Sequence, residues 1–331
     1  MRPKWRRWGR LPWGAIALAA GAVATTGLVV WYGAAAIGAE VLQAAWALPA
    51  ILAIHGVTQY LSAIAWRAAT GGPALALRHW FTIRVIRESV NGLLPVAQLG
   101  GNVVGIRLLM QRGIGGTAAT AGTTIDVTLE AVSQLLFTLA GVAVLAALND
   151  GDAWAPWVQA SVAVMVLALA AFLVVQQAVG LRLVEWIAEP LTRIFPRFSM
   201  ETVRRLFAAL QERQRQRGML ARALGLHLLA WAIGVGETWL ALEAMGRPTS
   251  LAEALVIESL AVAVRNAAFA VPGGLGVQEA GFVLIGGVFG VPPDQAIAVS
   301  MLKRLRELAF GVPGLLAWQW LEGRRHLRRG K

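Results

Sequence analysis

Arg265-Asn-Ala-Ala-Phe-Ala-Val-Pro-Gly-Gly-Leu-Gly-Val-Gln-Glu279 sets an Arg, an Asn and a Glu around a Pro-Gly-Gly-x-Gly break in otherwise apolar sequence. Proline removes a backbone donor and stops a helix, and glycine frees the backbone. One helix must end near Val271 and the next begin near Val277. In hydrocarbon, broken backbone survives only where protein or a water-filled cavity satisfies it. Ionisable groups at that depth are costly, which makes them functional candidates. The stretch is predicted to be the tip of a re-entrant helical hairpin lining a polar cavity, with Pro272, Gly273, Gly274 and Gly276 in the turn.

A second copy supports this reading. Pro95 and Pro272 lie 177 residues apart, and so do Gly113-Ile114 and Gly290-Val291, and Glu130 and Glu307. Landmarks in register predict an internal duplication, roughly 66–148 against 243–325, within one transmembrane domain spanning 1–331. Gly100 and Gly101 belong with Pro95 in the first break.

Composition sets the class. Charged residues are 15% of the 331 and hydrophobic ones 57%, against about 25% charged in a soluble domain. With a mean hydropathy of +0.61, the chain reads as an all-α polytopic membrane protein. It has no cysteine, which excludes disulfides, thiol catalysis and Cys metal sites. The net charge of +12 is assigned to basic cytoplasmic segments facing anionic lipid, with no nucleic acid as partner.

In chain order, residues 13–32 form a first span behind a basic, Trp-rich start. Their apolar core exceeds the ~7–15 residues of a signal peptide, so an uncleaved span is expected. Residues 41–65 form the second span. Residues 78–112 are interrupted by charges and Pro95, and neither side offers the ~20 apolar residues of a crossing; they read as a first re-entrant hairpin. Residues 117–148 cross and 155–180 return. The Arg-rich connector 181–222 carries Met200, Val203, Leu206 and Leu210 at helical spacing and reads as a helix on the cytoplasmic headgroups. Residues 223–245 cross, 251–290 form the second hairpin, and 294–320 the last span.

Charge tests that order. The N-terminal tail, the connector and the C-terminal tail hold 19 Lys and Arg, whereas the loops at 34–40, 149–156, 246–254 and 290–294 hold only Arg247. The positive-inside rule puts both termini in the cytoplasm. About six full spans and two re-entrant hairpins satisfy this, with the hairpins entering from opposite sides. The repeats are then inverted, as in many secondary transporters.

At 272–279, Pro-Gly-Gly-Leu-Gly-Val-Gln-Glu, the chain resembles the lysylphosphatidylglycerol synthase transmembrane, or flippase-like, family. Pro95 to Gly101 is similar to that family's earlier proline-to-glycine element, and Arg304 or Arg306 to its Arg in the last span. Arg87-Glu-Ser-Val-Asn-Gly-Leu-Leu-Pro-Val-Ala-Gln-Leu-Gly-Gly looks closest to the branch associated with hopanoid biosynthesis. Asn102 stands where the family often has Glu, which argues against a proton-coupling role there. The fused aminoacyl-transferase domain of lipid-modifying members is not expected, because the last span runs almost to residue 331. The resemblance implies a lipid as cargo, moved between leaflets of the bacterial inner membrane: a hopanoid or other isoprenoid lipid, or an anionic one.

The candidate site follows from the charges. Arg265, Asn266, Glu279, Lys303, Arg304, Arg306 and Glu307 would converge if the second hairpin packs on the last span. Arg84, Arg87, Glu88, Asn91, Asn102 and Arg107 are the counterpart in the first repeat. Arginine forks bind phosphate bidentately, so a cationic cavity for an anionic headgroup is one reading; neutralisation of Glu258, Glu279 and Glu307 is the other. Lys303, Arg304 and Arg306 cannot share one helix face. Asp126 and Glu130, four apart, are candidate proton carriers or ion-pair partners of Arg87 or Arg107, as is Glu258. His55 reads as a hydrogen-bonded core residue, and four scattered histidines make no metal site. No cofactor, metal or catalytic set is expected. Membrane lipids are the expected partners, and an accessory subunit of a lipid-biosynthesis enzyme, docking through the connector helix, is the alternative function.

Overall fold

The structure, a computed structural model, describes residues 13–71, 75–94, 100–148, 163, 167, 170, 200–268 and 271–329. Among these residues it is helical, without a strand. Helices α1 (Trp13–Tyr32) and α2 (Ala34–Gln43) meet at a 90° bend, where Gly33 takes φ 94°. The region predicted as an outer loop, 34–40, is therefore helical, because a left-handed glycine turns the chain without ending it. A 3-10 turn, Ala45–Ala47, leads into α3 (Leu48–Thr70), so the second span runs later than the expected 41–65. Pro49 sits in its first turn, where proline is tolerated.

Next come α4 (Leu77–Leu93), α5 (Gly100–Gln111) and α6 (Gly116–Leu148), then α7 (Met200–Arg215) and α8 (Arg217–Ala244). The chain ends with α9 (Leu251–Ala267), a 3-10 turn Pro272–Gly274, α10 (Val277–Val288) and α11 (Pro293–Arg329). The α3 segment, α6 and α8 are long and apolar enough to cross a membrane, and the bent α1–α2 pair is a fourth candidate. Val23, Trp31, Trp46, Leu229 and Leu316 point outward, as suits a hydrocarbon surround. Pro95 and the expected return span 155–180 lie outside the described residues.

Within the two stretches predicted as hairpins, α4 packs on α5 and α9 on α10. Each also packs on the long helix of the other half, α4 along α11 and α9 along α6, around a central α3–α8 pair. Asn91 ties the first hairpin by accepting from the Gly101 amide at 2.8 Å. Ser250 and Glu253 cap α9 reciprocally, and Glu279 caps α10 by accepting from the Gly276 amide at 2.7 Å, satisfying donors that a helix start leaves open. Glycines allow the close seams: a Cβ on Gly101 would lie 2.1 Å from the Arg87 carbonyl oxygen, and one on Gly122 2.4 Å from the Thr70 backbone. Gly286 and Gly290 serve instead the α10–α11 turn, where Gly290 takes φ 69° and Val291 donates to the Gly286 carbonyl at 2.9 Å.

Two sets of contacts mark the ends of the bundle. At one, Gln295 donates to Glu40 at 3.4 Å and Arg247 to the Phe289 carbonyl at 2.6 Å. At the other, Arg213 donates to the Ala69 carbonyl at 3.0 Å and Arg107 pairs with Glu322 at 2.9 Å. The apolar stripe of α7 does not lie on headgroups as expected. Val203, Phe207 and Leu210 are buried, and Leu210 joins Ala121, Ile125 and Ala223 of α6 and α8. That stripe is occupied within the chain, while Glu201, Arg204 and Arg205 of the same helix stay exposed.

Gly101→Ala should lower the melting temperature in detergent, at the ~1–3 kcal/mol cost of overpacking, because the clash is with backbone. Gly218→Ala, exposed in α8 with nothing within 4 Å of its Cβ, should be neutral or slightly stabilising. Equal melting shifts would contradict the packing described.

Candidate functional site

A cavity of about 460 Å³ lies between the two hairpins. Its wall comes from α3, α4, α5, α6, α8, α9, α10 and α11 together with the second tip. Helical periodicity aims the polar side chains inward. His55, Gln59 and Ser62 share one side of α3, and His227, Ala230, Gly234 and Glu237 share one side of α8, each at spacings of three or four.

Two ion networks form the walls. In the first, Arg84 pairs with Glu130 at 2.6 Å and Glu88 at 3.2 Å and donates to Gln59 at 3.2 Å. Arg87 pairs with Asp126 at 2.6 Å and Glu130 at 3.3 Å, and its guanidinium lies over Trp66. His227 Nε2 meets Asp126 at 3.1 Å. In the second, Lys303 pairs with Glu258 at 2.8 Å and Glu237 at 3.2 Å. Arg306 pairs with Glu237, His55 Nδ1 meets Glu237 at 3.3 Å, and Arg265 pairs with Glu307 at 2.7 Å. Unpaired charges in so apolar a body would be prohibitive, and mutual neutralisation is what makes them tolerable.

A third cluster holds the second tip. Arg304 donates to the Gly273 carbonyl, to the Gly274 carbonyl at 3.2 Å and to Glu279 at 3.2 Å. Ser300 donates to Glu279 at 2.9 Å. Arg304 also meets Glu307 at 3.3 Å, so Glu307 is shared between tip and cavity.

The model of the lysylphosphatidylglycerol synthase TM region matches residues 14–314. The chain belongs to this family. It is also similar to a UPF0104 membrane protein of Methanothermobacter thermautotrophicus, 23% identical over 310 residues covering 88% of this chain and 90% of that one. No solved structure matches the chain. Membership makes it a membrane protein of a family named for lipid synthesis, which points to a lipid-related role.

In this family member, the cavity brings together most residues predicted from sequence. Arg84, Arg87, Glu88, Asn91, Asn102, Glu130, Glu258, Arg265, Asn266, Lys303 and Arg306 line it, with Asp126 and Glu307 directly behind. Three do not. Arg107 is 60% exposed and pairs with Glu322 at the bundle end, so it serves neither Asp126 nor Glu130. Glu279 and Arg304 brace the tip, and the partner of Arg265 is Glu307 rather than Glu279. Lys303 and Arg306, three apart, face the cavity, while Arg304 turns to the tip, which is how three cations on one helix are divided.

The expected cationic character is also corrected. Arg84, Arg87, Arg265, Lys303 and Arg306 face Glu88, Asp126, Glu130, Glu237, Glu258 and Glu307, so every cation has a carboxylate and one carboxylate is in excess. Sequence reasoning missed Glu237, His227, Gln59 and Gln134. The signal was available for Glu237: a carboxylate ten residues after His227, on the same helix face, in the middle of an apolar stretch.

Lys303→Met should cost about 3–5 kcal/mol by leaving Glu258 without a cation, while Glu237 keeps Arg306 and His55; Lys303→Met with Glu258→Gln should recover much of it. Thermal melts in detergent read both. Arg107→Ala, removing an exposed pair, should be silent within about 1 kcal/mol. A Lys303 single variant as stable as the parent would mean the network is not holding the fold.

Proposed function

We propose that the protein moves a lipid between leaflets, passing the headgroup through the cavity while the acyl or isoprenoid tails stay in the bilayer. The observation that carries this is the cavity itself. At about 460 Å³ it falls in the ~300–1,000 Å³ range of small-molecule sites, and it is lined by charges inside a body with an apolar exterior. A headgroup fits that space; a whole lipid does not. The residues suit holding and passing a polar group, with no catalysis of their own. A hopanoid or other isoprenoid lipid is the narrower proposal, resting on the resemblance at Arg87–Gly101.

An inverted repeat underlies the proposed mechanism, and three observations support it. Adding 177 to the bounds of α5 gives those of α10, and adding it to the start of α6 gives the start of α11. Exchanging α3, α4, α5 and α6 for α8, α9, α10 and α11 leaves the list of packed pairs unchanged, including α4–α11 for α9–α6 and α3–α6 for α8–α11. The α4–α5 hairpin opens toward the end bearing Arg213 and Glu322, and α9–α10 toward the end bearing Glu40 and Gln295. Opposed hairpins around a central site suit alternating access, the two halves rocking around a fixed cavity. Six spans with both termini cytoplasmic, in a bacterial cytoplasmic membrane, complete the proposal.

Orientation is tested by labelling, which the cysteine-free sequence makes clean. Cysteine in place of Thr249 should label from outside intact cells, and in place of Gln214 only after lysis. External labelling at Gln214 would overturn the orientation.

Transport is tested by reconstitution with tail-labelled lipids, where exchange should exceed that of protein-free vesicles by at least tenfold. Arg265→Ala should cut it by an order of magnitude or more. Arg265→Lys should restore it in part, since a point charge does not replace a planar fork. Arg247→Ala should not change it. Exchange equal to empty vesicles for every lipid class would sink the proposal.

A further inference from the structure

We propose that the cavity selects a net-uncharged polyhydroxyl headgroup, a sugar or polyol, over an anionic or cationic one. The inference rests on the transport reading above and names the chemistry of its cargo.

Consider first what the cavity has left to offer. Each cation in the wall is already engaged by at least one carboxylate: Arg84 and Arg87 by Glu130 and Asp126, Lys303 by Glu258, Arg306 by Glu237, Arg265 by Glu307. A phosphate entering this site finds no spare positive charge. It could bind an arginine only by displacing a carboxylate, which would then be buried without its partner. An ammonium headgroup brings donors only, so it could meet the accessible carboxylates but would leave the unpartnered donors of the wall unfilled.

The open valences point elsewhere. Among the described residues, Arg87 Nε and Arg306 Nε are buried donors without a partner, on residues 2% and 9% exposed. One end of the Gln134 amide is likewise unpaired, its other end being held by Asn266. Buried donors left open cost stability unless a ligand or water fills them. Acceptors remain too: Glu88 and Glu130 keep 39% and 28% of their side chains accessible in the wall. A hydroxyl is the group that can accept from the first set and donate to the second. A ring or chain of hydroxyls does so several times over without adding charge to a network whose cations are all engaged.

The test separates headgroup class from transport by reading binding and exchange independently. The full chain in detergent is melted against short-chain glucosyl diacylglycerol, phosphatidylglycerol and lysyl-phosphatidylglycerol. Vesicles carrying tail-labelled versions of the same three lipids report exchange. The glucosyl lipid should bind at least tenfold tighter and exchange at least tenfold faster than either charged lipid. Gln134→Met should weaken glucosyl binding about fivefold and leave binding of the charged lipids unmoved, a selectivity that general loss of fold would not produce. Tighter binding of either charged lipid overturns the inference, whether or not exchange occurs. Tight glucosyl binding without exchange of any lipid supports the headgroup class and overturns transport. Failure of all three lipids to bind overturns both.

Discussion

Neutralising charge inside an apolar body is the constraint on which the structure depends. Removing an ion from water costs several kcal/mol even after relaxation, and here more than ten ionisable side chains sit between helices. None could be there alone. Asp126 is fully buried because Arg87 and His227 reach it, and Glu237 because Lys303, Arg306 and His55 do. Each network draws residues from at least three helices, so the pairs fix helix positions as well as tolerating charge. The fold and the site are one requirement seen twice.

The broken helices obey the same rule for uncharged groups. A chain that stops being helical in hydrocarbon leaves carbonyls without partners. At the second tip the Gly273 and Gly274 carbonyls are taken up by Arg304 from α11, and the Gly276 amide by Glu279. The tip therefore cannot exist without the helix it packs on. The hairpin is thus held from both halves: α9 lies on α6 of the first half, while its tip is braced from α11 of its own half and approaches Gly92 at the end of α4.

Much of this was legible in the sequence, for a physical reason. Pro272 with its glycines interrupts apolar helix, and the positions of Arg84, Arg87 and Lys303 in otherwise apolar stretches are too costly to be accidental. Such violations of the hydrocarbon rule stand out without neighbours being known. What could not be read was which charge meets which. Arg265 finds Glu307 rather than Glu279, and Arg107 meets Glu322 at the bundle end, because pairing depends on helix rotation and on contacts more than 40 residues apart in sequence. Counting arginines therefore suggested a cationic cavity, whereas the carboxylates that balance it come from α6, α8 and α9. The α7 stripe misled for a similar reason. Amphipathic spacing declares that a face is covered, and the covering surface proved to be α6 and α8 instead of lipid.

Glu307 is where the two requirements meet. It pairs with Arg265 at 2.7 Å and Arg306 at 3.7 Å on the cavity side through Oε1, and accepts from Arg304 at 3.3 Å on the tip side through Oε2. Three guanidinium groups therefore share one negative charge. Drawing Arg265 or Arg306 toward a headgroup frees part of Glu307 for Arg304, and pulling Arg304 away from the tip exposes the Gly273 and Gly274 carbonyls. Occupation of the cavity and integrity of the broken backbone thus draw on one acceptor. On the transport reading proposed above, this would give the cargo a differential contact with two arrangements of the tip, without which binding could shift neither.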